Sequence, residues 1–131
     1  MIAGSIKENL SLEKRVSITP ETAKSIINLG IKVIIENNYA THIGIADKEY
    51  ENVGAEIKNS SKEVLNSCDL LTKVNCPSDD EIINLKDKTI LIGMLNPSKN
   101  QSNIKNIIKK KINVFSLELL PRISRAQSMD V

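Results

Sequence analysis

The sequence predicts an α/β protein with a doubly wound, mostly parallel sheet. Short β-rich runs alternate with helical patterns along the whole chain, which is typical of parallel strands joined by helical crossovers. Two of the runs, 32–36 and 89–95, are nearly continuous aliphatic stretches, as expected for strands covered on both faces. The 131 residues are enough for one domain and not for two. We therefore expect residues 1–131 to form one lobe.

Six strands are expected, and the first helix between them has a clear beginning and end. Thr19 precedes Pro20 as an N-cap precedes proline at the first helical position, and Gly30 stands where the helix needs a left-handed residue. The predicted strands are residues 2–6, 32–36, 55–58, 70–74, 89–95 and 113–117.

The next two helices are also marked by their ends. Asp47 opens a short helix that Gly54 closes, and Ser60 with Glu63 has the spacing of a capping box. These signals place the helices between the predicted strands, as a βα lobe requires.

Charged runs mark the last two helices. The acidic run at 79–81 lies at the start of one helix, and the lysine run at 109–111 lies at the end of the other. The helix dipole favours negative charge at the first place and positive charge at the second. We therefore interpret the lysine run as a helix terminus rather than as a binding patch.

Composition excludes several classes of function. A net charge of +2, with one Phe and two Tyr, argues against nucleic-acid binding, and the longest apolar stretch, 90–95, is too short to cross a bilayer. Cys68 and Cys76 are interpreted as reduced structural thiols, because the single histidine, His42, leaves no ligand set for a metal. His42 is expected to be a surface or loop-packing histidine rather than a catalytic base.

A glycine-rich phosphate loop is missing. None of the five glycines, Gly4, Gly30, Gly44, Gly54 and Gly93, forms a G-x-G-x-x-G turn after a strand. The lobe therefore lacks the usual close approach of backbone to a pyrophosphate.

The C-terminal segment PRISRAQSMD, at 121–130, resembles a loop of the proton-translocating NAD(P) transhydrogenases, in the NAD(H)-binding domain of their alpha subunit. In that family the loop continues into a long helix and a dinucleotide-binding half, so we interpret residues 1–131 as the first half of a bilobal domain with a Rossmann- or flavodoxin-like fold. Further segments look like the N-terminal lobe shared with alanine dehydrogenases, namely IKE at 6–8, KRVSITP at 14–20, VGAEI at 53–57 and LTKV at 71–74.

The resemblance implies a cofactor site in the polar tail. Arg122 supplies only hydrogen-bond donors, ionised Asp130 only acceptors and Gln127 both, so together they can orient the nicotinamide carboxamide for hydride transfer. Alternatively, this segment could form a helix capping box, with Ser124 as N-cap and Gln127 at the third helical position. The NAD(H)-contacting residues implied by the family are Arg122, Ile123, Ser124, Arg125, Gln127 and Asp130.

The implied activity is hydride transfer between NADH and NADP+ coupled to proton movement across the bacterial inner membrane. The lobe would supply one wall of the NAD(H) site and be inactive alone. It would belong to a dimer that docks on the NADP(H)-binding domain of a beta subunit, with proton conduction in a separate membrane domain. The expected location is the cytoplasmic face of the inner membrane.

Two alternatives stay open, and the first is the lobe of an alanine dehydrogenase or a related amino-acid dehydrogenase. In the alanine dehydrogenases that the chain resembles, counterparts of Arg15 and Lys73 hold a keto acid, and a histidine follows the strand matching 89–95. Here that position is Asn96, and an amide cannot replace imidazole as a proton donor. The other alternative is a truncated binding or assembly module without activity.

Overall fold

The computed structural model describes residues 1–11, 13–94 and 101–116. Within them, six parallel strands form one sheet in the order β3-β2-β1-β4-β5-β6. The strands are β1 Ile2–Ser5, β2 Lys32–Glu36, β3 Glu56–Lys58, β4 Leu70–Asn75, β5 Ile90–Met94 and β6 Asn113–Ser116. The helices are α1 Pro20–Asn28, α2 Asp47–Asn52, α3 Ser61–Ser67, α4 Asp79–Asn84 and α5 Gln101–Lys109, with a short 3-10 helix at Thr41–Ile43.

This order confirms the predicted doubly wound α/β class. It is the strand order of dinucleotide-binding sheets, in which the winding reverses between β1 and β4. The predicted strand positions are confirmed, with differences of one residue at some ends, while residues 95 and 117 lie outside the described residues. The sequence therefore predicted both the class and the position of each strand.

The helix ends follow the predicted caps, with one correction. Thr19 Oγ1 accepts a hydrogen bond from the Thr22 N–H at 3.1 Å, and Gly30 has a φ of +90°. The capping box predicted for Ser60 and Glu63 forms in one direction only. Ser60 Oγ accepts from the Glu63 N–H at 3.3 Å, but the Glu63 carboxylate reaches past Ser60 to the Asn59 N–H at 3.2 Å.

The charged helix ends lie where they were predicted. The acidic residues 79–81 form the first turn of α4, and α5 ends at Lys109. Lys111 has a φ of +58°, and Lys110 Nζ donates to the Ile83 carbonyl oxygen at 2.8 Å. The lysine run therefore terminates a helix, as interpreted. No helix in the described ranges is long and apolar enough to cross a membrane.

Helices cover both faces of the sheet, and alternate residues of β2 show the division. Ile34 packs on one face, while Val33 and Ile35 pack on the other. The first, which we name the aliphatic face, lies under α3, α4 and α5 and includes Ile6, Ile34, Val64, Leu65, Leu71, Ile82, Leu85, Leu91 and Ile107. The second, which we name the tyrosine face, lies under α1 and α2 and includes Ile18, Ala23, Val33, Ile35, Tyr39, Tyr50 and Ala55.

Candidate functional site

The carboxyl ends of β1 and β4 meet where the winding of the sheet reverses, which is where open α/β sheets bind ligands. Glu8 follows β1 here, and its side chain is completely buried. Its carboxylate accepts hydrogen bonds from the backbone N–H of Val74 at 2.8 Å and of Asn75 at 3.2 Å. These two amides, which could otherwise face an anionic ligand, are therefore taken by the protein's own carboxylate.

Lys73, from β4, lies between two carboxylates. Its Nζ is 3.6 Å from Glu8 Oε1 and 3.4 Å from Glu81 Oε1, and its side chain is only 5% exposed. Glu81 is held by a complete capping box at the start of α4, in which Ser78 Oγ accepts from the Glu81 N–H and Glu81 Oε1 accepts from the Ser78 N–H. The buried ammonium thus links the end of β1 to the start of α4.

An ion pair between Glu36 and Lys7 lies at the carboxyl end of β2. Glu36 Oε1 accepts from the Lys7 backbone N–H at 2.9 Å, and its Oε2 is 3.6 Å from Lys7 Nζ. In dinucleotide-binding sheets, an acidic residue beyond the first βα turn binds the cofactor ribose. Glu36 is the acidic residue that ends β2, and its carboxylate is already engaged by Lys7.

The loop before α1 is held by the Tyr39 hydroxyl. This oxygen accepts from the backbone N–H of Ser17 at 3.0 Å and of Ile18 at 3.2 Å, and Tyr39 is completely buried. In a dinucleotide-binding sheet, the amides at the start of the helix after β1 face the pyrophosphate. Here the amides just before that helix donate to a side chain of the same protein.

Other hydroxyls extend this network onto β4. Ser5 Oγ lies 2.7 Å from the Tyr39 hydroxyl and donates to the Thr72 carbonyl oxygen at 2.8 Å, while Ser17 Oγ lies 2.9 Å from Thr72 Oγ1. The Tyr50 hydroxyl donates to the Ile18 carbonyl oxygen at 2.7 Å. Burial raises the pKa of Tyr50 above its usual range, so this donor keeps its proton at neutral pH.

A cavity of about 320 Å³ lies beside this loop. Its lining residues come from the loop and from the carboxyl ends of β4 and β5, namely Arg15, Val16, Ser17, Thr72, Lys73, Val74, Ile92 and Gly93. Arg15 makes a bidentate pair with Glu13, with both N–O distances 2.8 Å, and its side chain is 68% exposed. The hydrogen bonds from Arg15 lower the pKa of Glu13 to about 2, so the pair is charged at neutral pH.

A second cavity of about 430 Å³ lies beside the same lysine. It is lined by Lys7, Glu8, Asn9, Lys73, Asn75, Cys76, Pro77, Ser78, Glu81 and Asn103. Burial raises the pKa of the Cys76 thiol to about 11, which leaves it protonated at neutral pH and a poor nucleophile. In the described part of the chain, no group of three or more His, Cys, Asp or Glu side chains is placed to hold a metal ion.

The predicted tail residues lie beyond the part of the chain that the structure describes. These are Arg122, Ile123, Ser124, Arg125, Gln127 and Asp130, together with Asn96 after β5. β6 runs parallel to β5 and ends at Ser116, so the chain leaves β6 at the carboxyl edge that carries Glu8 and Lys73. Of the other candidates, His42 lies exposed in the 3-10 helix Thr41–Ile43 rather than in an irregular loop, with its Nε2 2.8 Å from the Lys14 carbonyl oxygen. Cys68 and Cys76 are both free.

Sequence reasoning missed the residues that organise this edge. In the sequence, Glu8 and Ser17 stand out only as parts of segments that resemble the family, and no motif assigns a role to Tyr39. One available signal was that both tyrosines of the chain, Tyr39 and Tyr50, fall in the stretch just after β2. Buried tyrosines usually bring a hydrogen-bond partner with them, which could have identified this region.

Residues 4–131 match the family model described as "Alanine dehydrogenase/PNT, N-terminal domain". The NAD(P) transhydrogenase subunit alpha of Haemophilus influenzae is 37% identical over 130 residues, covering 99% of this chain and 25% of that protein. An alanine dehydrogenase of Methanococcus maripaludis is 32% identical over 126 residues, covering 96% of this chain and 34% of that protein.

The fold has a close structural counterpart. The crystal structure of transhydrogenase from Sinorhizobium meliloti superimposes with a TM-score of 0.92 at 32% identity, covering 99% of this chain and 39% of that one. The chain thus spans about a quarter to two fifths of the length of the proteins it matches.

Proposed function

Because the chain belongs to the alanine dehydrogenase/PNT N-terminal domain family, we propose that it forms one wall of the NAD(H) site in the alpha subunit of a proton-translocating NAD(P) transhydrogenase. The complete enzyme would transfer hydride between NADH and NADP+ and couple that transfer to proton movement across a membrane. The identity to a transhydrogenase alpha subunit over 99% of the chain supports this assignment.

The observation that carries the proposal is the PRISRAQSMD segment at 121–130, which follows a strand that ends at the carboxyl edge of the sheet. Arg122, Gln127 and Asp130 orient the nicotinamide carboxamide, because their donors and acceptors complement its oxygen and its NH2 group. Ile123, Ser124 and Arg125 complete the contacts with the cofactor. NAD(H) supplies the hydride chemistry, and these side chains select the face of the ring that is presented.

Hydrogen bonds within the protein at the ends of β1, β2 and β4 support the assignment of only one wall to this lobe. Glu8, Tyr39 and Glu36 occupy the places where a dinucleotide-binding sheet would contact phosphates and ribose. The cofactor phosphates are therefore held by a second lobe, and the lobe described here binds NADH only weakly. Each charge-assisted hydrogen bond to phosphate that it forgoes is worth about 1.5 to 3 kcal/mol.

The proposed assembly follows from the same assignment. Two NAD(H)-binding domains form a dimer that docks on the NADP(H)-binding domain of a beta subunit, at the cytoplasmic face of the inner membrane. Protons cross through a separate membrane domain. In this arrangement the lobe positions one cofactor and takes no direct part in proton conduction.

One observation favours a second candidate, an alanine dehydrogenase lobe. Arg15 and Lys73, whose counterparts hold a keto acid in those enzymes, line the same cavity of about 320 Å³. Against it, the Lys73 ammonium is buried between Glu8 and Glu81, and Asn96 stands in place of the histidine. An inactive assembly module is the third candidate.

The deciding experiment uses the complete polypeptide that contains this chain, reconstituted with its beta subunit. We expect hydride transfer from NADH to NADP+, and we expect Arg122→Ala to lower turnover at least about tenfold, since it removes an orienting donor. The control is Lys109→Ala, which also removes one positive charge, at the exposed end of α5. It should leave turnover unchanged. Equal activity of Arg122→Ala and the wild type would refute the assigned role.

The same preparation separates the three candidates. NAD+-dependent oxidation of L-alanine without transfer to NADP+ would establish an alanine dehydrogenase. Absence of both activities, with assembly on the beta subunit intact, would establish an inactive module.

A further inference from the structure

A buried network of hydroxyls connects the tyrosine face to the wall of the smaller cavity. The segment from residue 13 to residue 19 forms no helix or strand, so its position depends on the groups that hold it. Three aromatic side chains from the stretch after β2 supply them. Tyr39 accepts from the N–H of residues 17 and 18, Tyr50 donates to the carbonyl of residue 18, and His42 contacts the carbonyl of residue 14.

The Tyr39 hydroxyl joins two backbone amides to two serine hydroxyls. Its oxygen accepts two backbone N–H groups, and it has one proton to donate. Two serine hydroxyls lie within hydrogen-bond distance of it, Ser5 Oγ at 2.7 Å and Ser17 Oγ at 3.1 Å. The two serine hydroxyls are 2.8 Å apart, and both are placed to donate to the Thr72 carbonyl oxygen. The hydrogen bonds therefore run from the loop through Tyr39, Ser5 and Ser17 to β4.

This network ends at the cavity wall. Ser17 and Thr72 both line the cavity of about 320 Å³ and are joined through their hydroxyls at 2.9 Å. Arg15 and Val16 line the same cavity and immediately precede Ser17. Tyr39 itself is completely buried and is not part of the lining. A movement of the Tyr39 hydroxyl would therefore displace three lining residues without removing any group from the cavity.

We propose that Tyr39 is a positioning residue of the NAD(H) site, which holds the wall formed by residues 15–17 against β4 without contacting the cofactor. The inference rests on the proposed function, because it takes this cavity wall as part of the cofactor cleft. Tyr50 provides the contrast. It packs edge to face on Tyr39, with ring centroids 5.7 Å apart, and binds only the carbonyl of Ile18, which is outside the lining.

The test compares Tyr39→Phe with Tyr50→Phe in the complete, reconstituted enzyme. Each variant keeps its ring and loses one buried hydroxyl. We expect Tyr39→Phe to raise the KM for NADH about tenfold, since small displacements of a binding wall have effects of this size. We expect Tyr50→Phe to change KM less than about twofold, because the Ser17 amide keeps its partner. Amide hydrogen exchange at residues 17 and 18 should accelerate more in Tyr39→Phe.

A purely structural role gives a different result. Loss of folded enzyme lowers apparent kcat and leaves the KM for NADH unchanged, so such a result for Tyr39→Phe would overturn the proposal, as would equal KM shifts in both variants. If Tyr39→Phe does not accumulate, Ser5→Ala removes the hydroxyl that lies 2.7 Å from the Tyr39 hydroxyl and links it to the Thr72 carbonyl oxygen, and it keeps both amide bonds. A KM raised about two- to threefold by Ser5→Ala would support the proposal, and an unchanged KM would overturn it.

Failure of the proposed function is recognised separately. If the wild-type complex transfers no hydride between NADH and NADP+, the transhydrogenase assignment fails, and calorimetric NADH affinities of the same variants decide the role of Tyr39. If the wild-type polypeptide does not bind NADH, both proposals are wrong.

Discussion

The aliphatic face of the sheet is filled by branched side chains of α3, α4 and α5, whereas the tyrosine face is organised around two buried tyrosines and their hydrogen bonds. Burial of apolar groups is non-directional. Hydrogen bonds weaken steeply when their distance or angle changes. One face therefore supplies mainly stability, whereas the other also fixes where a loop lies at the candidate site.

The largest expected effect is on the aliphatic face. Leu71 is completely buried in β4, so Leu71→Ala should lower the free energy of unfolding by about 3 kcal/mol through lost burial and a cavity. Urea-induced unfolding measures this change. Leu29→Ala, at a position 77% exposed, is the matched control and should stay within about 0.5 kcal/mol of the wild type. A loss below 1 kcal/mol for Leu71→Ala, on the same scale, would contradict the assigned packing.

Overpacking of the same face should have the next largest effect. A Cβ at Gly4 would lie 2.8 Å from Val64 Cγ1 and 3.0 Å from Cys68 Cβ, so α3 must move away from β1. We expect Gly4→Ala to cost about 2 kcal/mol in the free energy of unfolding. The control is Gly44→Ala, which has open space but a φ of +83° and should cost about 1 kcal/mol from backbone strain alone. A neutral Gly4→Ala would show that α3 is loosely packed.

On the tyrosine face, loss of a single hydroxyl should have a smaller effect on stability. Tyr50→Phe keeps the edge-to-face ring contact with Tyr39 and leaves the buried Ile18 carbonyl without its donor. We expect a loss of about 1 kcal/mol in the free energy of unfolding. Ser25→Ala, which removes an exposed hydroxyl on α1, should have almost no effect. A loss as large as that of Leu71→Ala would erase the distinction between the two faces.

The smallest effect is expected at an ion pair outside both faces. Arg15 lowers the pKa of Glu13 from 4.5 to about 2, so the pair contributes stability above the unfolded-state pKa and loses it as the pH falls from about 4.5 to about 2. Arg15→Ala should return the Glu13 pKa toward 4.5, as measured by NMR titration of its carboxyl carbon. Asp69, whose pKa is lowered by hydrogen bonds from Lys86 and from the Ile2 amide, should titrate unchanged. An unaltered Glu13 would show that the pair does not form in solution.

The strands and helix ends were predictable because their signals are local. Thr19-Pro20 and Gly30 mark the ends of α1 through the backbone conformations that these residues favour, and the aliphatic run at 32–36 marks a strand covered on both faces. The same rule misjudged Glu63, because the choice between two neighbouring amides, of Asn59 and Ser60, depends on the local shape of the turn. The tail residues 121–130 remain a prediction from their composition and their resemblance.

The sequence by itself determined the doubly wound α/β class, the strand positions, most of the helix caps and the family, since periodicity, caps and motifs are properties of neighbouring residues. Only the tertiary structure decided that Glu8 would lie against β4, 66 residues away along the chain, and that Tyr39 would hold the loop at Ser17. The physical reason is that Glu8 meets the end of β4 only when β4 pairs with β1, and Tyr39 meets Ser17 only when β2 pairs with β1. A hydroxyl or a carboxylate in the sequence does not specify which distant amide it will satisfy.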